Sequence, residues 1–123
     1  MTDHRHDRRV KLMQDLFACT FNSARTEDCI ARLTKDSTVA QIIENLSSLD
    51  EQIKNAAPER PLDEVNKVDL AILRLIVFES NSKKTPKKVL LNEAIELAKN
   101  YSGEKSPGFV NGVLAKILLK DEE

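Results

Sequence analysis

Tryptophan is absent from this 123-residue sequence, and glycine (three), proline (four), tyrosine (one) and histidine (two) are scarce. So few helix breakers leave long stretches free to be helical, which points to an all-α chain. One Tyr and four Phe provide no base-stacking platform of the kind single-strand-binding folds use. The only histidines, His4 and His6, sit near the N-terminus, so no Ser-His-Asp or Cys-His arrangement can be proposed. Neither a phosphate-cradling glycine loop nor an HExxH motif occurs. Neighbouring acids such as Asp50 and Glu51, or Asp63 and Glu64, would point about 100° apart on a helix and read as solvated faces. The chain is therefore not expected to be an enzyme, and no cofactor or metal is called for.

Two further scarcities matter. Cys19 and Cys29 have no neighbouring Cys or His at metal spacing, and a chain of this length and composition needs no disulfide staple, so both are expected as reduced thiols. The longest apolar run, "LAILRLIVF" from Leu70 to Phe78, contains Arg74 and falls far short of the roughly 20 residues of a membrane span. The opening residues are charged rather than apolar, unlike a signal peptide. A cytoplasmic location is the resulting expectation.

What the sequence does have is charge, unevenly distributed. Lys, Arg, Asp and Glu make up 32% of residues, with a formal net charge of -1. From Met1 to Lys11 four basic residues (Arg5, Arg8, Arg9, Lys11) face two acids, Asp3 and Asp7. Between Lys83 and Lys88 there are four lysines and no acid. A nearly neutral chain can thus carry a local basic patch.

Hydrophobic periodicity then lays out one domain over residues 1–123. Val10, Met13, Leu16, Phe17 and Phe21 share one stripe and predict a helix from about Arg8, preceded by a flexible basic arm over residues 1–7. A weaker helical segment follows around Cys29 to Leu33. Val39, Ile42, Ile43, Leu46, Leu49 and Ile53 keep helical spacing, with N-caps available from Asp36 to Thr38. The prolines of "NAAPERP" break the pattern. Val68 to Phe78 reads as the most enclosed helix. Pro86 opens another, with Leu90, Leu91, Ala94, Ile95, Ala98 and Tyr101 along one face. The last helix, "GFVNGVLAKIL", carries Asn111 and Gly112, neither a good residue for a helix interior. The expected fold is all-α, with six or seven short helices.

Arg8 and Arg9 fall where the first helix starts, against the macrodipole. Arginine there can grip phosphates, or the segment can be an ordinary solubilising terminus. "KKTPKK" has the same two readings. Arg74, Glu79, Asn92, Glu93 and Asn111 border apolar helices and would need partners if buried, which suggests a network joining the last three helices.

Three blocks in the second half, "VDLAILRLIVFE", "PKKVLLNEAIELAKNY" and "FVNGVLAKIL", resemble the NusB family of transcription antitermination factors. The likeness spans about Val65 to Leu118. At the N-terminus, Arg9, Gln14, Leu16 and Phe17 fit the family's Arg-rich start and its Q-x-L-Y pattern, with Phe for Tyr. The resemblance implies two small, roughly perpendicular helical bundles. It also implies binding to the boxA element of nascent RNA, as a pair with the small-subunit ribosomal protein NusE, within the RNA polymerase antitermination complex on ribosomal RNA operons. Carried over, the RNA contacts fall on Arg5, Arg8 and Arg9; Lys11, and Lys105 at a position often acidic in relatives, are added to them as RNA-binding residues. The partner surface falls near Phe17 and Glu79. Arg60 stands where the family usually has Trp. The alternative is a protein-interaction module of the same fold with reduced RNA binding. Self-association through an apolar face is compatible with either. Gly112 would allow a close helix approach or a backbone bend, and Asn111 a hydrogen bond that docks the last helix.

Overall fold

Asp3 accepts the backbone amide of Arg5 at 2.9 Å, and this cap starts the first helix, α1, at His4; it runs to Thr20. The structure, a computed structural model, describes residues 3–21, 26–33 and 37–120. Residues 4–7, expected as part of a flexible arm, are therefore helical. The capping carboxylate satisfies an orphan amide, and Asp7 in the first turn opposes the positive end of the macrodipole.

The remaining helices are α2 (Thr26–Ala31), α3 (Thr38–Glu44), α4 (Leu46–Ala56), α5 (Lys67–Ser82), α6 (Lys87–Tyr101) and α7 (Ser106–Leu118), with one 3-10 turn at Leu62–Glu64. The described residues are thus all-α, with seven α-helices. Ser37 is the N-cap of α3, its hydroxyl accepting the Ala40 amide; Asp36 lies outside the described residues. The stripe from Val39 to Ile53 is divided between α3 and α4 at Asn45, whose side-chain amide donates back to the Gln41 carbonyl at 2.7 Å. A side chain that bonds its own backbone competes with helix continuation, and apolar periodicity does not register that break.

Helix α5 is the hub. Asn66 caps its start by accepting the amides of Val68 and Asp69. Leu70, Ala71, Ile72, Leu73, Leu75, Ile76 and Val77 are all buried, enclosed by α1, α3, α4, α6 and α7. Each fully buried Leu, Ile or Val contributes about 1.5–3 kcal/mol, so this helix anchors the core.

Polar groups within the core are paired, but not as one network of the last three helices. Buried Asp69 accepts the hydroxyls of Ser102 and Ser106, tying α5 to α6 and α7. Arg74 grips Asp50 of α4 through two bonds, at 2.8 and 2.9 Å. Arg60 lays its guanidinium 4.4 Å from the Phe109 ring centroid, a cation–π contact on the last helix.

Two expectations are corrected. Cys19 and Cys29 form a disulfide joining α1 to α2, with their Cα atoms 5.4 Å apart. The sequence separation of ten residues concealed that α2 folds back on the end of α1. Asn111 and Gly112 both face solvent, and a Cβ built at Gly112 meets nothing within 4 Å. No helix approaches there, so the apolar ladder of α7 buries the opposite face, through Val110, Val113, Leu114 and Leu118.

Among the described residues, no group of His, Cys, Asp and Glu is placed to hold a metal, and no helix is long and apolar enough to cross a membrane.

Candidate nucleic-acid interface

Arg9 lies in the second turn of α1 and is only 5% exposed. Its Nε and Nη2 donate to the two carboxylate oxygens of Glu79 on α5, at 2.8 and 3.1 Å. Its Nη1 donates to Glu93 Oε1 on α6, at 3.1 Å. The second oxygen of Glu93 meets His6 Nδ1. The result is a four-residue network that fixes α1 against both C-terminal helices. Hydrogen bonding to Glu79 raises the Arg9 pKa further against the opposing effect of burial, so the guanidinium stays charged. With both edges of its fork occupied and its surface enclosed, Arg9 does not present itself to a phosphate as the sequence suggested. Glu79 likewise turns its carboxylate inward.

The neighbouring cations behave differently. Arg5 is exposed beside Asp3. Arg8 is exposed and reaches Thr38 at the start of α3, donating through Nη2 at 3.0 Å. Lys11 is largely in solvent and pairs with Asp15 one turn on, at 3.0 Å. Such an exposed pair is worth a few tenths of a kcal/mol, so Lys11 can exchange partners easily.

Phe17 is half-buried toward the other end of α1. It packs against Phe21 in a tilted arrangement, with ring centroids 5.2 Å apart, and Phe21 is 57% exposed. Phe17 also lines an apolar groove of about 160 Å³ with Met13, Gln14, Val68 and Tyr101. Tyr101 is itself 43% exposed, so an apolar surface continues past the groove. Lys105, exposed at the N-cap of α7, belongs to this end, because Ser102 and Ser106 on either side of it bond Asp69, next to Val68.

These contacts set the helix directions. Arg9 meets Glu79 near the end of α5, whereas Phe17 meets Val68 near its start, so α1 and α5 run antiparallel. Glu93 and Tyr101 meet Arg9 and Phe17 in the same order, so α1 and α6 run parallel. The expected residues therefore divide. Arg5, Arg8, Arg9 and Glu79 gather at one end, and Phe17 and Lys105 at the other, with roughly 18 Å of helix from Arg5 to Phe17 at 1.5 Å per residue. Phe17 and Glu79 are not brought together.

His6, Thr38, Val68 and Tyr101 were not foreseen in these roles. His6 had a usable signal, since it precedes Arg9 by three residues and so shares its face. The others depend on tertiary packing alone.

Comparisons with known proteins agree with one another. The NusB family model matches residues 6–119. A transcription antitermination protein NusB from Listeria welshimeri is 36% identical over 126 residues, covering 96% of this chain and 98% of its own. Another so named, from Clostridium botulinum, is 49% identical over 78 residues, covering 63% of this chain and 54% of its own. A solved structure of T. maritima NusB matches with a TM-score of 0.79 at 32% identity, covering 98% of this chain and 94% of that one.

Proposed function

This chain belongs to the NusB family, and from that premise we propose that it is a transcription antitermination factor that binds boxA-type RNA together with NusE and promotes readthrough of ribosomal RNA operons. The observation that carries the reading is the exposure of Arg5 and Arg8 on a helix that the buried Arg9 locks in place. Long cationic side chains on a rigid element meet phosphates at little ordering cost beyond their own rotamers, and a partner supplies the base-reading surface. Lys11 and Lys105 extend the phosphate contacts along the molecule. Phe17, with the groove to Tyr101, offers the apolar anchor a protein partner needs. Glu79 contributes to that surface through its hold on α1.

The placement of Arg9 also motivates a second reading. With Arg9 internal, fewer arginines are free than the sequence suggested, as befits a protein-interaction module with reduced RNA binding. One titration separates the two. Labelled boxA-type RNA and a scrambled RNA are titrated with the chain, with and without its NusE partner, at low and high salt. The antitermination reading expects discrimination that sharpens with the partner, and loss of affinity in Arg5→Glu plus Arg8→Glu with helical content unchanged. Equal, weak and salt-labile binding to both RNAs would reject it in favour of the module.

A further inference from the structure

The turn between α5 and α6 packs Lys83, Lys84, Lys87 and Lys88 around Thr85 and Pro86. All four lysines are exposed. Lys83, Lys84 and Lys88 form no ion pair among the described residues. Local stability accounts for them only in part, since the C-terminal end of α5 favours cations but other features of the turn do not. Lys83 is the α5 C-cap with φ 58°, the left-handed region that favours glycine. Lys87 and Lys88 open α6, whose first turn carries no acid, although acids are the residues the macrodipole favours there.

The position of this turn gives the lysines a context. Lys83 lies one helical turn beyond Glu79 on α5, and Arg5 lies one turn before Arg9 on α1. Because the two helices are antiparallel and joined by the Arg9–Glu79 pair, both displacements run in the same direction. Val89, in the first turn of α6, lines an open cavity of about 370 Å³ with Asp3 and His6 of the α1 start, which places the turn at that same end. The acids here have sides of their own: Glu79 and Glu93 are bound to Arg9, and Asp3 and Glu96 line the cavity on the α6 flank. Asp7 is exposed on α1 among the arginines.

We propose that Lys83, Lys84 and Lys88 form, with Arg5 and Arg8, one continuous cationic surface for the backbone of a single RNA strand, so that the α5–α6 turn holds phosphates adjacent to those held by α1. The inference rests on the RNA-binding reading above and extends its footprint to a second element. RNA suits the turn better than a protein does. The segment from Lys83 to Lys88 contains no aromatic residue to act as an anchor, and lysine is depleted from protein interfaces. Flexible ammonium groups accept phosphates in any register, which is what backbone tracking requires.

The test uses the full chain with its NusE partner and a labelled single-stranded boxA-type RNA, beside a scrambled RNA of equal length. In Lys83→Gln/Lys84→Gln/Lys88→Gln, binding to both RNAs should weaken by a similar factor. The slope of log affinity against log salt should become shallower by about 2, three phosphate contacts at about 0.7 each for a single strand. Unchanged affinity and slope, while Arg5→Gln/Arg8→Gln weakens binding, would put the turn outside the RNA path and overturn the inference alone. A variant that keeps the RNA slope but loses NusE binding would make the turn a protein contact, again overturning it. Absence of RNA binding by the unaltered pair would remove the RNA reading itself, a failure visible before any lysine is changed. Circular dichroism and the urea midpoint confirm that the variant remains folded.

Discussion

Arg9 and Glu79 stand 70 residues apart in sequence and are joined by two parallel hydrogen bonds, at 2.8 and 3.1 Å. The fork of a guanidinium matches a carboxylate in this way where an ammonium does not. Removing the cation leaves Glu79 and Glu93 largely buried and facing one another. Arg9→Gln is therefore expected to cost about 3 kcal/mol, as for a broken buried pair. Arg9→Lys should cost less, because charge is kept while the fork is lost. Urea unfolding midpoints measure both, and a loss below about 0.5 kcal/mol for Arg9→Gln would be that of an ordinary surface site and contradict the network's role.

The start of α1 should be sensitive to acid. The Arg5 amide bonded to the Asp3 carboxylate holds that group below its ordinary value of 3.8. A depressed folded-state pKa contributes stability that is complete above the unfolded value and is lost as pH falls through the folded one. Amide protection at Arg5 and His6, read by hydrogen exchange, should therefore decline on acidification below about 3.8. Asp3→Asn keeps a capping oxygen that does not titrate, and its protection should stay flat. Parallel declines in both proteins would assign the effect elsewhere.

The disulfide between Cys19 and Cys29 has a measurable worth. Closing a loop of this length constrains the unfolded chain by about 3 kcal/mol in the chain-entropy treatment. Reduction, or Cys29→Ser, should lower the urea midpoint correspondingly, with the effect concentrated on α2. Mass spectrometry of the unreduced chain should show the peptides bearing Cys19 and Cys29 linked. Separate peptides would refute the bond.

Gly112 offers a test of opposite sign. Its backbone is helical, its neighbourhood is open, and a Cβ there meets nothing within 4 Å. Gly112→Ala should raise stability by about 0.5–1 kcal/mol through helix propensity and a less flexible unfolded chain. A destabilised variant would restore the close-approach explanation that the structure removes.

Much of the fold was legible because burial follows a helical period. The stripe of Val10, Met13 and Leu16, the solid apolar run of α5 and the ladder of α7 all pack as their spacing indicates. What escaped detection depends on polar atoms and on distance along the chain. Apolar periodicity runs through Asn45, so the break between α3 and α4 is made by a side-chain amide that the pattern does not weigh. The arginines were legible as a cluster, but not which of them turns inward. That choice is made by Glu79 and Glu93, residues unrelated to Arg9 until the chain folds. The cysteine pair escaped for the same reason, since the path of the chain from Cys19 back to Cys29 is a tertiary fact.

The Arg9 network also bears on the order in which the molecule can assemble. From Arg9 on α1 through Glu79 on α5 to Glu93 on α6 it spans 84 positions, and Arg9 leaves the ribosome long before Glu93. At about 5–20 residues per second, Arg9 waits roughly 4–17 seconds for Glu93. Glu79, carried on α5, follows Arg9 by 70 residues and precedes Glu93, so for most of that interval α1 has neither charged partner. Helix α1 is therefore secured only after the later helices α5 and α6 have been made. The nascent chain carries Arg9 without Glu79 and Glu93 until α5 and α6 emerge, so native docking of α1 awaits those helices.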